Sequence, residues 1–358
     1  MWAPKRRRVE VESDGRYTAL ARDAHGYFSG LAQGLSAGSR YRFRLDGERS
    51  YPDPASRYQP DGPHGASQVI DPSLFRWTDA AWRGLEPARQ VLYELHIGTF
   101  TREGTYAAAA DRLGDLADLG ATAVEIMPLA EFAGSFGWGY DGVDWFAPYH
   151  RYGSNDDFRA FVNRAHELGL GVILDVVYNH VGPDGNYLRE FADAYFSARH
   201  RTDWGDAINF DDDNNEGARE LVLSNVRHWI DEYHLDGLRL DATHAIYDDS
   251  PRHILQDIGA AARDAAGAPP TPRSVVVFAE TQTQDARIVR DYGLDYIWCD
   301  DFHHLALVAA TGKREAYYTD YGGTPQEFVS AVKRGPLYQG QHHRWQDKRW
   351  GGPAWDVA

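Results

Sequence analysis

Short, mostly apolar runs alternate along this chain with stretches whose apolar positions recur at helical spacing. Val91 to Leu95, Ala123 to Met127, Gly171 to Val177, Leu238 to Leu240, Val275 to Phe278 and Tyr296 to Cys299 read as six strands. Runs apolar on both alternating faces belong to strands covered on both sides, as in a parallel sheet flanked by helices. An Ala- and Leu-rich helix is predicted over Tyr106 to Leu119, stopping at Gly120. Strand and helix in alternation make the strands parallel neighbours. Three of the runs end in polar or charged residues: Asp175-Val176-Val177-Tyr178-Asn179-His180, Gly237-Leu238-Arg239-Leu240-Asp241-Ala242-Thr243-His244 and Val275-Val276-Val277-Phe278-Ala279-Glu280. A buried barrel strand looks like this when its C-terminal end opens into an active site.

The pattern before this region is different. Residues 1–72 carry short strands with turn punctuation: Arg16 to Arg22, Gly26 to Phe28, and Arg40 to Leu45 before Asp46-Gly47. They read as an all-β sandwich, followed by a linker over 73–90. Residues 91–358 then read as an α/β (β/α)8 TIM barrel, incomplete, with about six βα units. A polar stretch over 181–216 is too long for an ordinary connection and reads as an excursion walling a cleft. Gly267 to Pro272 reads as a disordered turn before the fifth strand.

Composition narrows the partners. A net charge of −16 excludes the basic footprint that nucleic acid or an anionic membrane surface requires. The basic run Lys5 to Arg8 precedes the alternating Val9-Glu10-Val11 and reads as part of an exposed strand edge. One cysteine, Cys299, permits no internal disulfide and suits a reducing compartment. With no apolar stretch of signal or membrane-span length, the expectation is a cytoplasmic protein. The 11 Trp, 21 Tyr and 15 Phe exceed what a core demands, and aromatic faces are platforms for the apolar faces of sugars.

Parallel strands bring Asp241 and Glu280 to one end of the barrel, where two carboxyls suit glycoside chemistry. Asp241 is the expected nucleophile, kept ionised by Arg239 on the same strand face. Glu280 is the expected general acid/base, its pKa raised by the apolar run before it. Asp175 is expected to orient Arg239. The acidic run Asp211 to Asn215 lacks the glycine and terminal glutamate of a calcium loop, so no metal is expected there.

In this order and spacing the three segments resemble the α-amylase family of glycoside hydrolases and transferases. Further strings carry the resemblance: Tyr51-Pro52-Asp53-Pro54-Ala55-Ser56-Arg57-Tyr58-Gln59-Pro60, Tyr93-Glu94-Leu95-His96-Ile97-Gly98-Thr99-Phe100, Gly137-Trp138-Gly139-Tyr140-Asp141-Gly142-Val143, Ala207-Ile208-Asn209-Phe210-Asp211 and Asp300-Asp301-Phe302-His303-His304. The last is the most discriminating and is similar to members that release trehalose from maltooligosyltrehalose. The resemblance implies an immunoglobulin-like N-terminal domain and retaining cleavage of the α-1,4 bond beside the trehalose end of a maltooligosyltrehalose or related α-glucan, with no cofactor. It implies that Tyr140, His180 and His244 line the site of the sugar being cleaved, and that Asp300, Asp301, His303 and His304 surround the leaving group.

Two rivals share these features: a glucan-branching or debranching enzyme, and a glucan-binding protein without turnover. The resemblance also implies a third carboxylate in an Asn-His-Asp string, and none occurs; Asn179-His180 is followed by Val181. The expectation is therefore a chain truncated at both ends and inactive by itself.

Overall fold

Six parallel strands build one sheet and lie across it in chain order: β1 Leu92–Leu95, β2 Ala123–Ile126, β3 Gly171–Val176, β4 Gly237–Leu240, β5 Val276–Thr281 and β6 Tyr296–Cys299. The computed structural model describes residues 1–351 apart from 87, 89, 269–271 and 284, so Pro269 to Thr271 of the predicted turn lie outside the described residues. Register pairs Glu94 with Glu125, Glu125 with Ile173, Ile173 with Gly237, Asp175 with Arg239, Arg239 with Phe278, and Glu280 with Trp298. Side chains alternate along a strand, so these paired residues share one concave face.

That face is graded. Near its base Leu85, Ala123, Ile173, Val276 and Phe278 form an apolar cluster, with Trp82, Leu92, Tyr296 and Trp298 packed on it. Leu85 comes from the segment before β1 and lies so close that a Cβ on Gly171 would fall 2.5 Å from it. Higher up the same face carries Glu125, Asp175, Arg239 and Glu280. Glu125 is fully buried, and neither carboxyl oxygen has a hydrogen-bond partner. Burial pushes it up to about 8, so it is held as the neutral acid.

The opposite face of the sheet carries Val124, Ile126, Val172, Leu174, Leu238, Leu240 and Val277, all in the main core. Covering helices include α1 Tyr106–Leu119, α2 Asn155–Glu167, α3 Glu216–Arg227 and α4 Ile254–Ala266. Helix α1 begins where Thr105 accepts from the Ala108 N–H and ends at Gly120, with φ 95°. Helix α2 starts with a reciprocal capping box between Ser154 and Asp157. Its Phe158, Phe161 and Val162 are fully buried, each contributing about 1.5–3 kcal/mol of apolar burial. Beyond β6, α5 Asp300–Thr311 and α6 Pro325–Arg334 share a smaller core of Leu305, Val308, Tyr321, Ala331, Tyr338 and Trp350.

In the N-terminal region Arg16–Ala19, Val9–Ser13, Arg40–Leu45 and Arg49–Tyr51 form an antiparallel sheet in that order, with Ser67–Gln68 also paired to Arg40–Leu45. The predicted single strand Arg16 to Arg22 breaks at Leu20, and Ala21–Arg22 pairs separately with Phe28–Ser29. The reading of Val9-Glu10-Val11 as an exposed edge is corrected: this strand is paired on both sides, and all three residues are buried. The basic run ahead of it docks this region onto the excursion. Lys5 pairs with Asp193 at 3.0 Å, and Arg6 donates to the Glu190 carbonyl at 2.7 Å. Among the described residues no helix is long and apolar enough to cross a membrane.

Candidate active site at the strand tips

Asp241 follows the last residue of β4, where its N–H bonds the Val176 carbonyl at 3.0 Å and so ties two strand tips together. Arg239, two residues earlier and on the same face, donates to Asp241 at 2.6 Å. The same guanidinium nitrogen donates to both oxygens of Asp175 at 2.9 Å. Its other terminal nitrogen lies 3.9 Å from Glu280. One cation thus faces three carboxyls, and their pull raises the already high pKa of Arg239 against the effect of burial.

The carboxyls are not equivalent. Burial pushes Glu280 up to about 7, with Arg239 opposing and Asp300 and Asp241 adding to the rise. Glu280 accepts the Ala242 N–H at 2.8 Å. Ala242 has φ 41° in the left-handed region, uncommon for a residue with a Cβ, and this turn aims its N–H at Glu280. Asp175 is fully buried, which raises its pKa against the pull of Arg239. It accepts from the Tyr140 hydroxyl at 2.9 Å and is therefore wholly engaged by Arg239 and Tyr140. Burial beside Asp175 raises the phenol, so Tyr140 stays neutral.

Around Asp241 the first strand-tip motif supplies a second layer. Asn179 donates to Asp241 at 3.1 Å, and its carbonyl oxygen meets His180 Nδ1. His180 is buried, which lowers its pKa, and it stacks with Trp204 at 5.8 Å between ring centres. Trp204 stands between Phe196–Thr202 and Gly205–Ile208, two strands paired within the excursion. It is half exposed. His244 lies one turn beyond Asp241, half-buried and kept neutral by desolvation. Asn179, the Ala242 N–H and Trp204 are site groups the sequence reading missed. Asn179 stood inside a motif already singled out, whereas nothing local marked Trp204.

The Asp300 to His304 string divides. It opens α5, with Asp300 half-buried and near enough to raise Glu280. His303 is exposed and His304 half-buried, the latter edge-on to Tyr318 and Tyr321 at 5.0 Å and pushed down to about 4 by burial. Asp301 departs from the expected sugar contact. It is fully buried, accepts from the Tyr321 hydroxyl at 2.6 Å and also accepts the Leu337 and Tyr338 N–H groups. Successive helical residues point in different directions, so one of two adjacent aspartates faces the core.

Asp211, in the acidic run where no metal is expected from the sequence, has histidine and carboxylate neighbours. Among the described residues His200, Asp211 and Asp249 bring three possible metal-ligand atoms within 4.8 Å of one another. Arg199 lies 2.8 Å from Asp211 and already supplies positive charge there.

The alpha-amylase catalytic-domain family matches residues 69–209. The malto-oligosyltrehalose trehalohydrolases of Saccharolobus solfataricus and Deinococcus radiodurans are each 43% identical to the chain, over 100% and 95% of its length and over 63% and 55% of theirs. A crystal structure of a Salmonella typhimurium protein, provisionally described as an alpha amylase, superposes with TM-score 0.90 at 36% identity, over 99% of this chain and 61% of that one. The chain spans about three fifths of the length of these relatives.

Proposed function

We propose, from the premise that the chain belongs to the α-amylase family of glycoside hydrolases and transferases, that its strand tips carry out retaining hydrolysis of the α-1,4 bond next to the trehalose end of a maltooligosyltrehalose. The observation that carries this reading is the pair Asp241 and Glu280 facing one guanidinium, with burial pushing Glu280 up to about 7. Protonated Glu280 gives its proton to the leaving glycosidic oxygen while Asp241 attacks the anomeric carbon. A β-linked glycosyl ester on Asp241 results, and trehalose departs. Water, deprotonated by Glu280, then attacks the same carbon, releases Asp241 and restores the acid. Two carboxyls and water balance the reaction, so no organic cofactor enters.

Tyr140, His180 and His244 would hold the sugar being cleaved, and Asp300, His303 and His304 would meet the trehalose. Only the carboxyl of Asp301, buried in hydrogen bonds, is set aside from this role. The reading assigns activity to a whole-length protein in which further strands pair with the outer edges of β1 and β6, since a barrel gains its stability by closing. It treats residues 1–72 as an immunoglobulin-like sandwich ahead of a linker and the catalytic domain, and the protein as a cytoplasmic contributor to trehalose formation. The test is product analysis with the whole-length protein. Free trehalose should leave maltotriosyltrehalose far faster than maltopentaose is shortened; new α-1,6 linkages in amylose, or cleavage of pullulan, would overturn the reading in favour of a branching or debranching enzyme. Binding of the same substrate without any turnover would favour the non-catalytic alternative.

A further inference from the structure

Glu280 stands between two unlike neighbours. On one side β4 brings Arg239 and, just past its end, Asp241; on the other side β6 pairs Trp298 with Glu280 in register. Strands in a sheet lie about 4.8 Å apart, and in-register residues of parallel strands point to the same face, so the indole and the carboxyl side chain leave the sheet side by side. The wall beneath them is aromatic. Phe278, two residues before Glu280 on that face, is in register with Tyr296 and stacks on it at 4.8 Å between ring centres. Trp298 meets Phe278 edge-on at 6.1 Å. Of the four same-face positions on this part of β5 and β6, three thus carry rings and one carries a carboxyl. The alternation in Tyr296-Ile297-Trp298-Cys299 puts both β6 rings on the side of the acid.

The groups around Glu280 act in opposite senses. Arg239 at 3.9 Å and the Ala242 N–H at 2.8 Å favour its carboxylate, while Asp241 and Asp300 disfavour it. Asp241 takes donors of its own, Arg239 at 2.6 Å and Asn179 at 3.1 Å. Burial outweighs the pull of Arg239 on Glu280, whose side chain is 14% exposed. An apolar ring beside a carboxyl excludes the water that would solvate its charge and offers that charge nothing in return. We infer that Trp298 is the positioning residue that makes Glu280 the acid: its ring shields the β6 side of the carboxyl from water and so holds there the proton that the leaving oxygen receives. The use made of that proton rests on the proposed glycosidase reading; the effect of the ring on the carboxyl does not.

Carbon-13 NMR of protein labelled at the glutamate carboxyl carbon reads this proton directly, in the purified 358-residue chain and in the whole-length protein, with the Glu280 signal identified by its loss in Glu280→Gln. Removing the ring admits water, favours the carboxylate and lowers the titration midpoint. Trp298→Ala and Trp298→Gln should each bring it down by about one pH unit or more, a fall in proton affinity of at least about tenfold, whereas Trp298→Phe should keep it within about 0.3. In the whole-length protein the alkaline limb of kcat/KM for trehalose release should move by the same amount, with the rate on its acid side lowered less than about threefold. Circular dichroism checks that each variant is folded; if the alanine variant is not, Trp298→Gln against Trp298→Phe decides. A midpoint that stays in place without the ring, or falls as far in Trp298→Phe as in Trp298→Gln, would overturn the role of Trp298. The reaction is judged separately. If the midpoint moves but the whole-length protein releases no trehalose, the role of Trp298 in holding the proton stands and the hydrolytic reading falls; if trehalose is released and the limb does not move, the reverse holds.

Discussion

Two charged clusters occupy opposite ends of the same sheet, and they are built on opposite terms. At the tips, Arg239 alone faces Asp175, Asp241 and Glu280, Ala242 is forced into a left-handed turn, and Glu280 is pushed up to about 7. At the base, His166 lies between Asp79 at 2.8 Å and Asp236 at 2.9 Å, with both ring nitrogens donating and the ring therefore an imidazolium. His234 adds a second bond to Asp79 at 2.8 Å, Trp82 donates to Asp236 at 2.6 Å, and Arg273 stands 3.8 Å from Asp236. Burial would raise Asp79, but the two histidines outweigh it and hold that carboxyl well below the usual range. Burial would lower His166, but Asp236 and Asp79 outweigh it. The base matches its charges and ties the segment before β1 to α2 and the strand starts. At the tips one cation faces three carboxyls, and burial pushes Glu280 up to about 7, which suits the acid of the proposed reaction. Matched charge thus lies at the strand starts, and the carboxyls proposed to carry the chemistry lie at the strand tips, the end at which parallel α/β sheets place their sites.

Removing the tip carboxyls should have the largest effect. Glu280→Ala in the whole-length protein should cost about 10²- to 10⁴-fold in turnover and Asp241→Ala at least as much, each with little change in unfolding free energy. Azide should partly rescue Glu280→Ala on substrates with good leaving groups and yield the α-glycosyl azide, because it displaces a β-linked ester from Asp241. A β-azide from that variant would remove Asp241 as nucleophile, and equal destabilisation by both variants would dissolve the contrast between the two ends.

An intermediate effect is expected at the base. Asp236→Ala leaves the buried His166 imidazolium and Arg273 short of a partner, and should cost about 3–5 kcal/mol in stability. Denaturant unfolding measures this, and the pH profile of any remaining turnover should be unmoved. A loss below about 1 kcal/mol would show that the base does not hold the fold.

The smallest effects are on pH dependence, and the signs differ between the ends. In the proposed reaction Glu280 donates a proton, so kcat/KM should fall as pH rises through about 7. At the base, Asp79 is held low, so its contribution is complete above the ordinary carboxylate pKa of about 4 and is lost as pH falls below that. His166 is held high, so its contribution is complete below the ordinary histidine pKa of about 6.5 and is lost as pH rises through its raised value. The melting temperature should therefore be highest between about pH 4 and 6.5. A melting temperature still climbing above pH 7 would contradict the imidazolium at His166.

The strand runs and their charged ends were legible in the sequence because they are local. An apolar run that terminates in Arg239-Leu240-Asp241 or in Glu280 can satisfy both parts only by crossing a core and emerging at its rim, and the register then follows from strand order. That reasoning reached Asp175, Arg239, Asp241 and Glu280 without coordinates. It could not reach groups whose meaning depends on distant partners. Asp79, His166 and Asp236 come together from three separate segments, and Lys5 and Arg6 meet residues of the excursion almost two hundred positions away. No periodicity records such a meeting. Asp300 and Asp301 are identical in type and adjacent in the chain, yet helix α5 turns one toward Glu280 and the other into the core beneath Tyr321. Chain pattern determines which residues lie on a strand and at its tip, because hydrophobic period is a local property. Which polar groups compensate one another is decided by loop closure and helix orientation, and that belongs to the tertiary structure alone.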